Sequence, residues 1–315
     1  MQNPKISQTP KKRKIELSVI VVQVNSFLGE PSKTYTKKIK KMLEVYKGQK
    51  IDLIVLPEMA LTGYDFASRE QAEALSEVQG KGISFLTAKK IARDFNSYVV
   101  IGYPERVENA HSGPTLYNSA YILGREGQLL QNYRKILLYT SDKKFYSPGR
   151  EEDRPVVELV TVNNDRLRLG VGICMDINYK DFEDFYQFPL AEYLRDQKID
   201  ILAFPTAWTE EGEDPTQRKS DAEERSDLYN YWTMRVLPAL SRRWRLDREV
   251  GKRREAEWVM VAADRCGDDN GVTHFKGLSG VIGFNRSECK APFECDGGLG
   301  LGDEAAQLVR TWLHK

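Results

Sequence analysis

An α/β fold is what this sequence predicts, on two observations. Apolar runs rich in β-branched residues alternate with amphipathic segments over the first hundred residues, and turn-forming residues then separate a further series of apolar runs. Residues 17–24 (LSVIVVQV) are β-branched and bounded by polar sequence, which reads as a buried strand. Residues 33–46 place Tyr35, Ile39, Met42, Leu43 and Tyr46 near one helical face. Residues 51–56 (IDLIVL) are a second strand, 83–95 a helix and 98–102 (YVVIG) a third strand. Strands at 116–123 and 128–133 flank Gly-Arg-Glu-Gly, and strands at 156–160 and 167–173 flank Asn-Asn-Asp, two hairpin signals. A helix over 181–197, a strand over 199–204 and an aromatic-rich helix over 226–244 follow. Strands at 258–263 and 278–284 end the clear pattern.

The expected organisation is a flexible basic tail over residues 1–15, one domain over 16–284 and an atypical C-terminal tail over 285–315. Lys11, Lys12, Arg13 and Lys14 could form a nuclear-import patch, though a solvated tail is the favoured reading. The charge-dense stretch 242–257 reads as a solvated face. Gly297, Gly298, Gly300 and Gly302 do not form a phosphate-binding fingerprint.

Composition removes several function classes. The 315 residues carry 47 Lys+Arg against 46 Asp+Glu, a net charge of +1, which is not the strongly basic balance of a dedicated nucleic-acid binder. No apolar run approaches the roughly 18 residues needed to span a bilayer. Three histidines and four cysteines, with no Cys-x-x-Cys pair, argue against a zinc site, a disulfide scaffold and histidine-based catalysis. A reducing compartment, the cytoplasm and also the nucleus, is expected.

Three segments end an apolar run in a reactive side chain: IDLIVLPEM in Glu58, NYRKILLY in Lys135 and LRLGVGICMD in Cys174. Ligand groups in α/β proteins gather where strands end. A partly desolvated glutamate can act as general base, a lysine can favour a thiolate and a developing oxyanion, and the thiolate is the nucleophile. Taken singly, each residue has a plainer reading: a small core side chain for Cys174, a solvated strand end for Glu58 and a surface charge for Lys135. Cys266 reads as structural.

The segments LPEMALTGYDF, IGYPE, LYNSA, NYRKILLY and GICMDINYKDF occur in this order. PTAW, NYWTMRVLP, ADRCG and FKGLSGVIGF follow. Together they resemble the nitrilase (carbon–nitrogen hydrolase) superfamily over residues 17–284, and within it the fungal protein N-terminal amidases. The resemblance implies a four-layer α-β-β-α sandwich. It implies Glu58 as base, Lys135 as transition-state stabiliser and Cys174 as nucleophile, with the Met175 backbone N–H completing the oxyanion site. The family often has a second glutamate shortly after the lysine; here the nearest acid is the shorter Asp142, either a participant or a turn residue. The implied reaction deamidates N-terminal Asn and Gln of proteins or peptides to Asp and Glu with release of ammonia, feeding the Arg/N-degron pathway. No cofactor or metal, no nucleic acid and no membrane are implied, and the family commonly pairs its sandwiches into homo-oligomers.

Recognition of the substrate is less legible. Asp176 is a candidate for the free α-amine, or a turn aspartate. Tyr64, Trp208 and Trp232 either shape the pocket or pack in the core. Asn118 reads as fixing a local turn. Two alternatives stay open: an amidase of the same superfamily acting on a free small amide, and a catalytically inactive nitrilase-like binding protein.

Overall fold

A computed structural model describes residues 14–209, 219–240, 258–269, 271, 273–284, 299 and 303–314. Its strands and α-helices, in chain order, are β1 (Lys14–Gln23), α1 (Ser32–Leu43), β2 (Leu53–Val55), α2 (Arg69–Leu75), β3 (Glu77–Val78), α3 (Ile83–Phe95), β4 (Tyr98–Val107), β5 (Thr115–Leu123), β6 (Leu129–Arg134), β7 (Val157–Val160), β8 (Arg166–Val171), α4 (Pro189–Asp196), β9 (Ile201–Thr206), α5 (Asp221–Val236), β10 (Trp258–Asp264), β11 (Cys266–Asp269), β12 (Thr273–Lys276), β13 (Gly280–Phe284) and β14 (Ala305–His314).

The strands form two main sheets. One has the order β14-β1-β2-β4-β5-β6, with β3 also pairing β4; the other has the order β13-β10-β9-β8-β7. The sheets pack face to face. Leu17, Val19 and Val21 of β1 and Leu53 and Val55 of β2 share one core with Leu169 and Val171 of β8, Ile201 of β9 and Val259 of β10. The alternate residues of β1, Ile20 and Val22, face outward onto Tyr35, Ile39 and Leu43 of α1 and Ala88, Ile91 and Phe95 of α3. β1 is therefore buried on both faces, so its sequence is a continuous apolar run instead of an alternation. On the far side, Leu190 and Leu194 of α4 and Leu228 and Trp232 of α5 cover β9 and β10. The expected four layers, α-β-β-α, are present.

Local sequence explains the element ends. Asn96 closes α3 in the left-handed region at φ 47°, its N–H bonding Ala92 and Arg93 carbonyls. Ser220 and Glu223 form a capping box that starts α5 at Asp221, earlier than expected. The helix expected over 181–197 is shorter, because Pro189 supplies its first position.

The C-terminal segment corrects the sequence reading. Residues 305–314, expected to lie in an atypical tail, form β14 and pair with the whole of β1 antiparallel, from Lys14↔His314 to Gln23↔Ala305. The same pairing draws Lys14, assigned to the basic tail, into the sheet. β14 buries only Val309 and Leu313 between the sheets and exposes Arg310 and Trp312, so its apolar signal is thin. Residues 1–13, the charge-dense 242–257 and Gly297, Gly298, Gly300 and Gly302 lie outside the described residues. No described helix is long and apolar enough to cross a membrane.

Candidate active site

β2 pairs parallel with β1 and β4, and β8 and β10 pair parallel with β9. The chain thus leaves β2, β8, β9 and β10 through neighbouring loops, and Glu58, Cys174, Trp208 and Arg265 all lie just past those strands. Lys135 directly follows β6.

Glu58 sits where the backbone comes closest to β4. The Gly102 N–H donates to the Pro57 carbonyl (3.0 Å) and the Ala60 N–H to the Gly102 carbonyl (3.1 Å). A Cβ on Gly102 would stand 2.5 Å from the Glu58 Cα, so only glycine fits there. The Glu58 carboxylate is fully buried. Its Oε1 accepts from Lys135 Nζ (2.8 Å) and Asn118 Nδ2 (2.6 Å), while Oε2 has no hydrogen-bond partner. Burial raises its pKa; the Lys135 charge opposes that rise and the Asp142 charge adds to it.

Lys135 is also fully buried, and Nζ donates to Asp142 Oδ2 at 2.6 Å as well as to Glu58. Burial alone would lower its pKa, but the Asp142 and Glu58 carboxylates outweigh it and hold the ammonium well above the ordinary lysine value. Asp142 is therefore part of the cluster, on a short 3-10 turn that brings its carboxylate back to Lys135. Its Oδ1 accepts from the Tyr64 hydroxyl (3.0 Å) and Asn118 Nδ2 (3.1 Å), and Oδ2 also from the Tyr139 N–H (3.1 Å).

Cys174 begins a 3-10 turn, Cys174–Ile177, after β8. Its φ of 41° lies in the left-handed region, a strained conformation for a side chain with a Cβ. Burial pushes its thiol well above the ordinary value, the Glu58 charge adds to the rise, and Lys135 acts the other way. Met175, second in the turn, carries one of the N–H groups that the start of a helical turn leaves without a partner inside it.

Of the two readings of Asp176, the turn aspartate is the one its contacts support, and they leave no oxygen facing a substrate amine. Asp176 is fully buried, and four donors occupy it: the Tyr133 hydroxyl (2.7 Å) and Ile173 N–H (2.8 Å) on Oδ2, and the Ile136 (3.0 Å) and Leu137 (2.9 Å) N–H groups on Oδ1. It fastens the segment after Lys135 to the turn that carries Cys174. Trp232 is likewise core, fully buried against Phe204, Trp208 and Tyr229. Cys266 is buried beside the Asp303 carbonyl, in keeping with a structural role.

A cavity of ≈ 160 Å³ opens beside Cys174, with Tyr64, Tyr139, Met175, Asn178, Trp208 and Tyr231 among its walls. Tyr64 and Trp208, which the sequence left open between pocket wall and core packing, line it. The Trp208 N–H is held by Asp264 Oδ1 at 2.8 Å. Tyr139, Asn178 and Tyr231 were not foreseen, and neither was the contact of Asn118 with Glu58 and Asp142. A buried polar residue inside the apolar strand TLYNSAYIL is the sequence signal that could have flagged Asn118.

With this geometry in place, comparison with known proteins is informative. The family described as carbon–nitrogen hydrolase matches residues 19–218. A protein named nitrilase from Pyrococcus abyssi is 36% identical over 296 residues, 94% of this chain and 92% of that protein. A protein N-terminal amidase from Saccharomyces cerevisiae is 30% identical over 210 residues, 62% of this chain but only 45% of that longer protein. A crystal structure of an N-terminal amidase with an Asn-Glu-Ala peptide superposes with a TM-score of 0.80 at 22% identity, covering 96% of this chain and all of the other. That likeness speaks to the fold, and the family match and the Pyrococcus relative to descent. The chain belongs to the carbon–nitrogen hydrolase, or nitrilase, family.

Proposed function

We propose that this protein deamidates the side chain of an N-terminal Asn or Gln in peptides and proteins, giving Asp or Glu and ammonia. The observation that carries the proposal is the meeting of a buried carboxylate, a buried ammonium and a thiol beside a cavity sized for one side chain. The yeast relative's name points to the same reaction.

The groups divide the chemistry as follows. Glu58 takes the Cys174 proton on its unpartnered Oε2, since burial and the Glu58 charge leave the resting thiol protonated at neutral pH. The thiolate attacks the carboxamide carbon. The oxyanion that forms is stabilised by Lys135 Nζ and the Met175 N–H, and each such donor is worth about 2.7–4 kcal/mol in comparable sites. Glu58 returns the proton to the departing nitrogen, ammonia leaves and a thioester remains. Glu58 then deprotonates water, which attacks the thioester and frees the carboxylate product and the thiol. Asp142 and Asn118 act through the others: Asp142 orients the Lys135 ammonium, and Asn118 holds Glu58 and Asp142 in register. The same reading places the enzyme in the cytoplasm, with products that enter the Arg/N-degron pathway.

The higher identity and coverage of the Pyrococcus nitrilase favour a second reading, hydrolysis of a free small amide. Ammonia release from Asn-first and Gln-first peptides, each with a free or an acetylated α-amine, separates the two. Turnover confined to free α-amines is expected. Equal turnover of the acetylated peptides would leave only the second reading.

A further inference from the structure

Arg235 of α5 is a cation that the chemistry proposed above does not use. It is fully buried, and among the described residues it makes no ion pair with a carboxylate. Its donors go instead to three backbone carbonyls: Nε to Ile177 (3.2 Å), Nη1 to Phe185 (2.8 Å) and Nη2 to Gln187. The rings of Tyr179, Phe185 and Phe188 surround it, with centroids 4.8, 5.4 and 4.5 Å from its Cζ. A buried guanidinium whose partners, among the described residues, are carbonyl dipoles and ring faces relies on them to offset its desolvation.

The three carbonyls locate what it holds. Ile177 ends the turn that begins at Cys174, and Phe185 and Gln187 lie at the far end of the strap over residues 178–188. Among the described residues, its other anchors from outside include the Tyr231 hydroxyl on Asn178 and the packing of Phe188 against the core under α4 and α5. Asp181 and Phe182 adopt left-handed backbone conformations, and Phe182 and Tyr186 are exposed. At its tip, Lys143 pairs with Asp181 on the open surface, where ion pairs contribute little. Yet the strap supplies Asn178 and Phe182 to the cavity beside Cys174. It also supplies Lys180 and Asp181 to a neighbouring cavity of ≈ 630 Å³, and Met175 lines both. Asn178 is itself held by the Tyr231 hydroxyl, one turn before Arg235 on the same helix.

We infer that Arg235 is a positioning residue for substrate binding: it clamps both ends of the 178–188 strap, so that the wall shared by the two cavities is already in place when a peptide arrives. Resting on the peptide reading above, this makes the clamp a determinant of peptide affinity. The leading side chain enters the smaller cavity, and the strap and the larger cavity receive the residues that follow. The thiol chemistry is left to Glu58, Lys135 and Cys174.

Kinetics of Arg235→Lys and Arg235→Gln, with hydrogen exchange alongside, test the assignment. Lysine keeps the charge but not the planar fork that reaches three carbonyls. For an Asn-first tripeptide, the Lys variant is expected to raise KM about tenfold with kcat within about twofold, and the Gln variant to raise KM further. Alkylation of Cys174 by iodoacetamide should stay within about twofold of wild type. Exchange should rise in 178–188 while β8 and β9 remain protected. A fall in kcat at unchanged KM, a Lys variant indistinguishable from wild type, or exchange rising equally in β8 and β9 would each overturn the assignment. If the wild type does not turn over the peptide at all, the peptide reading fails on its own, and the exchange and alkylation measurements still decide whether Arg235 holds the strap.

Discussion

The two sheets contribute to the site in opposite ways. Loops of the β1–β6 sheet bring Glu58, Lys135, Asp142 and Tyr64, which with Asn118 of β5 form a closed set of hydrogen bonds and two buried ion pairs. The sheet of β7–β10 brings Cys174, a single thiol on a turn with strained backbone, whose neighbours are anchored from outside by Asp176 and Arg235. In the proposed mechanism, charges that must not reorganise are wired together in advance, while the thiol that would form the covalent bond lies outside that network and faces Thr206 and the Ala207 backbone instead.

Cys174→Ala should remove ammonia release by a factor of about 10³ or more while shifting the urea midpoint little, because the network on the other sheet remains intact. Lys135→Met should remove activity to a similar extent and also destabilise the protein. It leaves the Glu58 and Asp142 carboxylates buried without their shared cation, a situation that costs about 3–5 kcal/mol when one partner of a buried pair is lost. Urea unfolding beside the activity assay separates the two variants: loss of activity with stability kept on one side, loss of both on the other.

A smaller effect sharpens the same contrast. Asp142→Asn keeps a hydrogen-bonding group near Lys135 but removes a charge, and a charge-assisted hydrogen bond is worth about 1.5–3 kcal/mol. A fall in kcat of about 10–100-fold is expected. The pH profile should move as well. In the proposed mechanism Glu58 must be ionised to take the thiol proton, so kcat/KM should fall as pH decreases through its pKa, and burial sets that limb above the ordinary glutamate value of 4.5. Because the Asp142 charge raises the Glu58 pKa, Asp142→Asn should shift the limb to lower pH. A limb that stays put in the variant would separate Asp142 from the base. The smallest change is Tyr64→Phe, which deletes one donor to Asp142 and should cost about 1 kcal/mol, read as a several-fold drop in kcat.

Legibility in the sequence followed burial. Taken singly, Glu58, Lys135 and Cys174 each had a plainer reading, and it was the ordered run of segments around them that marked the three out in one dimension. Asn118 was misread as a turn residue because its partners lie 60 and 24 residues away, on other elements. Asp176 looked available for substrate because nothing local shows that Tyr133, Ile136 and Leu137 claim it. The central strands β1, β9 and β10 stood out as apolar on both faces. β14 did not, since this edge strand buries two residues between the sheets while exposing Arg310 and Trp312, and its pairing with β1 gives it a place.

The division of labour between the sheets is tested most directly by intact-mass spectrometry of enzyme quenched during turnover of a Gln-first peptide. An adduct on Cys174 equal in mass to the peptide less ammonia is expected. It should be present in wild type and absent in Cys174→Ala, which should also release no ammonia. Ammonia release by Cys174→Ala at the wild-type rate, or an adduct carried by a residue other than Cys174, would contradict it.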